Sequence, residues 1–253
     1  MEYSEFEFTA KDIWAGYGKR EVLKGASLNI AKGEIVSVVG KNGAGKSTFL
    51  KAVMGMLPVS QGSIYYRGED IAKMKVNERF RRGICFFMQG GQVFPSLSFD
   101  ENIQIATLTM DRRTRTERKH ELMATFFPEV TISCLTGLFN RNSSLLSDGE
   151  KSMLSLMMVL MNIPKFLMLD EPSAGLSPEN TIKFYRSIIE FVERYETTIL
   201  IVEQNVKLAV EMADRICLIS DGIFVREEQT AQLKDGSLNA HPGKLENFLL
   251  AMD

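Results

Sequence analysis

The sequence predicts an α/β protein. Its mainly parallel sheet is covered by helices, with antiparallel strands near the start and a helical insert in the middle. Three observations carry this. Apolar, largely β-branched runs recur at Glu34–Val39, Phe166–Leu169, Thr198–Val202 and Ile216–Ile219 with helical segments between them, the alternation that builds a parallel sheet. Apolar and polar residues alternate in Phe6-Glu7-Phe8 and in Ala26-Ser27-Leu28-Asn29-Ile30, the period of half-buried antiparallel strands. From about Ser98 to Asn162 strand signals vanish and helical spacing takes over.

Each element has a local reason. Glu34–Val39 stops at Gly40, which predicts a buried strand entering a loop, and Ser47–Met56 beyond it has the spacing and length of a helix. Ile84–Met88 reads as another buried strand. The charges of Asp111–Glu121 mix both signs, which predicts a solvated helix face rather than a binding patch. Met153–Met161 is apolar and methionine-rich, as a buried helix that packs adaptably would be. Pro178 suits the first turn of a helix over Pro178–Tyr195. Ser220-Asp221-Gly222-Ile223 predicts a hairpin turn between two closing strands. The expected organisation is a single domain over 1–253: an α/β core from 1–95 and 163–253, and a helical subdomain at 96–162.

Composition narrows the function. The chain has 253 residues, 45% of them apolar and 25% charged, enough to bury a sizeable core. Thirty Lys and Arg against 32 Asp and Glu leave a net charge of −2, so nucleic acid is not the expected partner. No apolar stretch approaches the ~18 residues of a membrane span. Glu2, Glu5 and Glu7 occupy the place where a secretory signal carries positive charge. Cys85, Cys134 and Cys217 are odd in number and scattered, which predicts reduced thiols in a cytoplasmic setting, with Cys85 and Cys217 as small buried hydrophobes. Two histidines, His120 and His241, without a Cys/His cluster do not build a zinc site.

Gly40-Lys41-Asn42-Gly43-Ala44-Gly45-Lys46-Ser47 lies between a predicted strand and a predicted helix and fits the phosphate-loop pattern. Its glycines let consecutive N–H groups turn inward on an anion, and the helix dipole adds to them. Lys46 can reach the β- and γ-phosphates, and the Ser47 hydroxyl can ligate Mg²⁺. Gly40, Asn42, Gly43, Ala44, Gly45, Lys46, Ser47 and Thr48 are thus candidate nucleotide-phosphate-binding residues, and the loop alone leaves GTPases, small kinases and helicases open. The run Phe166-Leu167-Met168-Leu169-Asp170-Glu171 ends a strand in two acids, and ligands of parallel sheets bind beyond the carboxyl ends of the strands. Asp170 is the candidate Mg²⁺ ligand and Glu171 the candidate group that polarises an attacking water.

Leu146-Ser147-Asp148-Gly149-Glu150, opening an apolar helix, resembles the signature of the ATP-binding subunits of ABC transporters, which reads Leu-Ser-Gly-Gly-Gln or Glu. The resemblance extends over essentially the whole chain. Tyr17 lies where that family stacks an aromatic on adenine, with Trp14 as a rival. Gln89 stands at the Q-loop position, and Pro172-Ser173-Ala174-Gly175-Leu176 at the D-loop position. Gln204, in Ile201-Val202-Glu203-Gln204-Asn205, stands where the switch histidine usually lies. The phrases around Gln204 and Gly175-Leu176-Ser177-Pro178 look most like the subgroup serving importers of branched-chain and other apolar amino acids or amides. The resemblance implies a P-loop NTPase fold, ATP and Mg²⁺, with Gln89 as a further Mg²⁺ contact and Gln204 as a catalytic group beside Glu171. It also implies that two subunits sandwich two ATP molecules, so that Ser147, Asp148, Gly149 and Glu150 act on the partner's ATP. Integral permease subunits would hold the protein at the cytoplasmic face of the membrane through a rim at Gln92–Leu97. A solute-binding protein would take part indirectly.

Two departures stand out. Gln204 keeps an amide donor in place of histidine. Asp148 replaces a glycine next to the γ-phosphate, and Lys151 three residues on could draw its carboxylate away. The repulsion favours a heterodimer with a related ATPase subunit, in which only the partner's ATP faces Asp148. Three other readings are an exporter subunit, an ATP-dependent clamp with degenerate hydrolysis, and a soluble ABC-type ATPase for DNA or ribosome work. The last usually needs coiled coils or a second cassette.

Overall fold

The computed structural model describes residues 5–90, 92–126 and 139–234. Glu2, Cys134 and His241 lie outside them, as does part of the 96–162 region. In chain order the elements are β1 (Phe8–Tyr17), β2 (Arg20–Ile30), β3 (Ile35–Val39), α1 (Lys46–Met54), β4 (Val59–Tyr66), β5 (Glu69–Asp70), α2 (Val76–Arg81) and β6 (Ile84–Phe87). There follow α3 (Phe99–Ala106), α4 (Arg112–Phe126), a 3₁₀ turn (Ser143–Leu145), α5 (Asp148–Leu160), β7 (Phe166–Asp170) and α6 (Pro178–Tyr195). The described chain closes with β8 (Thr198–Val202), α7 (Val206–Met212), β9 (Arg215–Ser220), β10 (Ile223–Gln229) and α8 (Ala231–Lys234). Packing divides these into two compact units. One comprises Met1–Phe86, Lys165–Glu171 and Glu196–Asp253, and the other Phe87–Pro164 with Pro172–Tyr195.

The first unit holds two sheets. One has the order β2-β1-β4-β5 and is antiparallel throughout. The other has the order β10-β9-β3-β8-β7-β6, with β9, β3, β8 and β7 parallel and β10 antiparallel at its edge. The alternating segments pair as expected, Phe8 opposite Ile30 and Ala10 opposite Leu28. β4 carried no strand signal because Ser60-Gln61-Gly62-Ser63 is polar; pairing with β1 (Phe8↔Tyr66, Ala10↔Ile64) recruits it. Apolar residues of both sheets and of α1 form one core, in which the Phe166 ring stacks on Phe8 at 5.0 Å and on Tyr66 at 6.2 Å. α1 stops at Met54, two residues earlier than its apolar spacing suggests, because Gly55 turns left-handed (φ 79°) and its N–H returns to the Ala52 carbonyl. Cys85 and Cys217 are buried in this unit, and burial pushes both thiols up to about 12.

The second unit is helical among its described residues. The charged stretch of α4 has the solvated face that mixed charge suggests, at residues 112, 113, 116, 117 and 120, but its other side is engaged. Arg112 and Arg113 are exposed, but Arg115 donates to the Thr107 and Met110 carbonyls (3.1 and 2.9 Å) and Arg118 to the Met161 carbonyl. Lys119 pairs with Asp100 and lies 4.2 Å from the Phe139 ring centroid. Residues 115, 118 and 119 share one side of the helix, so this face is spent on joining α4 to its neighbours. Met153, Leu154, Leu156, Met157, Leu160 and Met161 are all buried, as the methionine-rich run implied. Among the described residues no helix is long and apolar enough to cross a membrane.

Candidate active site

Three parallel strands lie side by side as β3, β8 and β7, and their ends are level: Val38 and Asp170 are both in register with Val202. The phosphate loop leaves β3, Gln204 follows β8, and Asp170 and Glu171 end β7. Backbone pairing therefore gathers at one sheet edge residues separated by up to 164 positions in sequence.

The loop itself is built to receive an anion. Gly45, in front of α1, takes φ 109°, a value that side-chain-bearing residues avoid. α1 begins with no side-chain cap and with no acid in its first turn, so no side chain of its own competes for its N-terminal amides. The Lys46 ammonium donates to the carbonyls of Gly40 (2.7 Å) and Lys41 (3.1 Å) and so lies folded along the loop. The Ser47 hydroxyl donates to Asp170 Oδ1 at 2.9 Å. Two hard oxygen donors thus meet beside the loop, the donor chemistry that suits Mg²⁺.

Lys46, Asp170 and Glu171 are only 5%, 4% and 9% exposed. Burial pulls the Lys46 ammonium below its ordinary value, opposed by the nearby charges of Glu171 and Asp170. Burial likewise pushes the Asp170 carboxyl above its ordinary value, opposed by the Ser47 hydrogen bond and helped by Glu171. Gln204 Nε2 donates to Glu171 Oε1 at 2.8 Å, which brings together the two residues expected to share the hydrolytic role. The Glu171 backbone is strained at φ 46°, held there by its N–H bonding to the Val202 carbonyl at 2.9 Å. Nothing in the sequence signals this strain. Tyr17 ends β1 half-exposed at the hairpin into β2, and the Trp14 indole lies over Gly25.

Gln89 and the signature belong to the second unit. Ser147 caps α5: its Oγ accepts from the Glu150 N–H (3.3 Å), and the Glu150 carboxylate accepts from the Ser147 N–H (2.7 Å). A hydroxyl that accepts still has its own proton to donate outward. Gly149 lies against the Asn180 side chain. The Asp148 side chain is 91% exposed, with Lys151 Nζ at 3.6 Å from its Oδ1. Sequence reasoning missed what holds the Gln92–Leu97 rim. Fully buried Asn102 accepts from the Phe94 N–H (2.7 Å) and donates to the Phe94 carbonyl and Ser143 Oγ, while Ser155 Oγ accepts from the Gln92 N–H. An asparagine within a helix gives no signal of this kind.

Residues 23–174 match the model of the ABC transporter family. The chain is 34% identical to the high-affinity branched-chain amino acid transport ATP-binding protein BraG of Pseudomonas aeruginosa, over 86% of this chain and 90% of that protein. It is 33% identical to the lipopolysaccharide export system ATP-binding protein LptB of Escherichia coli K12, over 86% of this chain and 88% of that protein. Its fold is that of a solved ATP-binding cassette described as a dimer in a post-hydrolysis state bound to ADP and Pi, with a TM-score of 0.75 and 24% identity over 88% of this chain and 98% of that one.

The raised Asp170 carboxyl makes a stability prediction. A folded value above the ordinary 3.8 means that the stabilising proton is present at low pH and lost as pH rises through the folded value, so the ionised carboxylate opposes folding at neutral pH. Asp170→Asn should therefore raise the melting temperature of the nucleotide-free protein at pH 7 while weakening Mg²⁺-dependent ATP binding, and the gain should shrink at acidic pH. Melting curves at pH 7 and pH 5 check this; a lower melting temperature at pH 7 contradicts it.

Proposed function

The chain belongs to the ABC transporter family of ATP-hydrolysing cassettes, and on that premise we propose that it drives import of branched-chain or other apolar amino acids or amides through a membrane permease. The observation that carries the ATPase role is the sheet edge where Lys46, Ser47, Asp170, Glu171 and Gln204 converge. The amino-acid substrate is supported by the relationship to BraG. Export is the second reading, favoured by the comparable identity to LptB.

In this reading the loop amides and the α1 N-terminus hold the ATP phosphates, Lys46 turns from its carbonyls to the β- and γ-oxygens, and Tyr17 stacks on adenine. Ser47 and Asp170 would hold Mg²⁺, which when bound neutralises charge on the phosphate oxygens. Glu171 draws the proton from an attacking water, and the Gln204 amide fixes the carboxylate oxygen that faces away from it. Ser147, Gly149 and the start of α5 act on the ATP of a second ATPase subunit, in a dimer that closes on ATP and opens after hydrolysis. The protein sits peripherally at the cytoplasmic face, docked on permease subunits through the Gln92–Leu97 rim, where Phe94 is half-exposed. A solute-binding protein would reach it only through the permease.

Asp148 favours pairing with a related but different subunit. Facing a γ-phosphate, its carboxylate repels, and the Lys151 ammonium offsets part of that repulsion. In a heterodimer one of the two sandwiches escapes the conflict.

Three outcomes test this. Glu171→Gln should leave ATP binding intact, cut hydrolysis by about 10²–10⁴-fold and accumulate an ATP-bound dimer on size-exclusion chromatography; normal turnover removes Glu171 from the role. With its permease in proteoliposomes, the ATPase should be stimulated by a leucine-loaded binding protein and not by lipopolysaccharide, and the reverse establishes export. ATP-driven dimerisation of the chain alone should strengthen in Asp148→Gly and weaken in Lys151→Met, and the Lys151→Met effect should disappear when Asp148 is already glycine. Equal dimerisation in all four proteins would mean that the carboxylate does not face the phosphate.

A further inference from the structure

Arg79, on α2, is the largest side chain in the protein that is fully buried among the described residues, at 1% exposure. Its guanidinium donates to five backbone carbonyls: Met74 at 3.1 Å from Nε, Ala52 at 3.0 Å and Val53 from Nη1, and Ile71 at 2.6 Å and Ala72 at 3.0 Å from Nη2. Ala52 and Val53 form the last turn of α1. The other three carbonyls line the segment that leads into α2. The cation is thus placed on the negative end of the α1 dipole. Gly55 makes room for it: a Cβ there would stand 2.9 Å from Arg79 Nε.

Lys46 and Ser47 make hydrogen bonds at the N-terminal end of α1, but what else fixes the rest of the helix is apolar. Phe49, Leu50, Ala52 and Val53 are buried in the core, and such packing resists withdrawal of the helix but has little directional preference. Hydrogen bonds to specific carbonyls do have direction, so the guanidinium sets how far α1 slides along its axis and how it is rotated. A nine-residue helix is a stiff rod of about 13 Å. A shift at its C-terminal end is therefore passed to Lys46, Ser47 and the loop amides at the other.

We propose that Arg79 is a positioning residue of the nucleotide site, clamping the far end of the phosphate-loop helix so that its near end meets the phosphates in register. This rests on the reading of Gly40–Thr48 as the ATP-phosphate site. The clamp acts on ground state and transition state alike, so its loss falls on nucleotide affinity more than on turnover.

The experiment measures MgADP affinity by calorimetry, and KM and kcat for ATP, in Arg79→Met, Arg79→Lys and Gly55→Ala. Ile13→Ala, a cavity in the same core that removes none of the Arg79 hydrogen bonds, is the stability control. Arg79→Met should weaken MgADP binding by about tenfold, inside the hundredfold that a misplacement of about 1 Å can cost. KM for ATP should rise with it by more than kcat falls. Arg79→Lys, which keeps the charge and some donors, should recover part of the loss, and Gly55→Ala should resemble Arg79→Met. Ile13→Ala should lower the melting temperature without changing affinity. Lys46→Ala tests the underlying reading by itself: unchanged MgADP binding there overturns the site, whereas loss there with wild-type affinity in the Arg79 variants overturns only the clamp. If Arg79→Met does not fold, Arg79→Lys and Gly55→Ala decide. Affinity loss in Ile13→Ala equal to theirs at a matched melting temperature reduces Arg79 to a fold contact.

Discussion

An ammonium and two carboxylates, Lys46, Asp170 and Glu171, are held almost wholly out of water at one edge of a parallel sheet. Buried charge is costly unless its partners are accurately placed. The accuracy comes from the level ends of β3, β8 and β7, since a one-residue slip of β7 would turn Asp170 to the opposite face. Burial shifts Lys46 and Asp170 in the direction of their neutral forms. Their apparent disadvantage to the fold fits the role proposed for them, toward a triphosphate and its counter-ion. The strained backbone of Glu171 belongs to the same arrangement, and its anchor is again a β8 carbonyl.

The two helix starts to which the proposed chemistry is assigned are finished in opposite ways. α1 has neither side-chain cap nor acid in its first turn, and a left-handed glycine stands before it. Its amides are left to the loop's ligand. α5 is capped in both directions by Ser147 and Glu150, and it has acids in its first turn, among them Asp148. Such a start is stable by itself and repels anions unless cations are near; Lys151 stands by Asp148 and Arg141 by Glu150. The contrast matches the division of labour proposed for them: one helix binds its own nucleotide, and the other is presented to a partner's.

The far ends of elements matter as much as the near ones. Arg79 closes the C-terminus of α1, and Asn102 saturates the turn that carries the Gln92–Leu97 rim. Both are buried polar groups whose hydrogen bonds go mainly to backbone, Asn102 also reaching the Ser143 hydroxyl. They fix segments whose own side chains could not do so, because Phe94 and its neighbours are exposed.

The sequence by itself determined the strands of the parallel sheet, the phosphate loop, the acid pair, the signature and hence the family. Each of these is a local pattern: β-branched runs, glycines at fixed spacing, acids at a strand end. It also implied the methionine-rich core of α5, because an almost unbroken apolar run has no polar face to leave in water. Tertiary structure decided what depends on distant partners. β4 is a strand because β1 pairs with it, although its own residues are polar. One side of the charged stretch of α4 is occupied because carbonyls of other segments end there. The α6 helix packs with the Phe87–Pro164 unit, although β7, immediately before it in the chain, belongs to the other. Arg79 and Asn102 look like ordinary surface residues in sequence. A hydrogen bond to a backbone carbonyl 27 positions away leaves no trace in residue type, since every residue offers the same carbonyl, and one to a serine hydroxyl 41 positions away is fixed only by the fold.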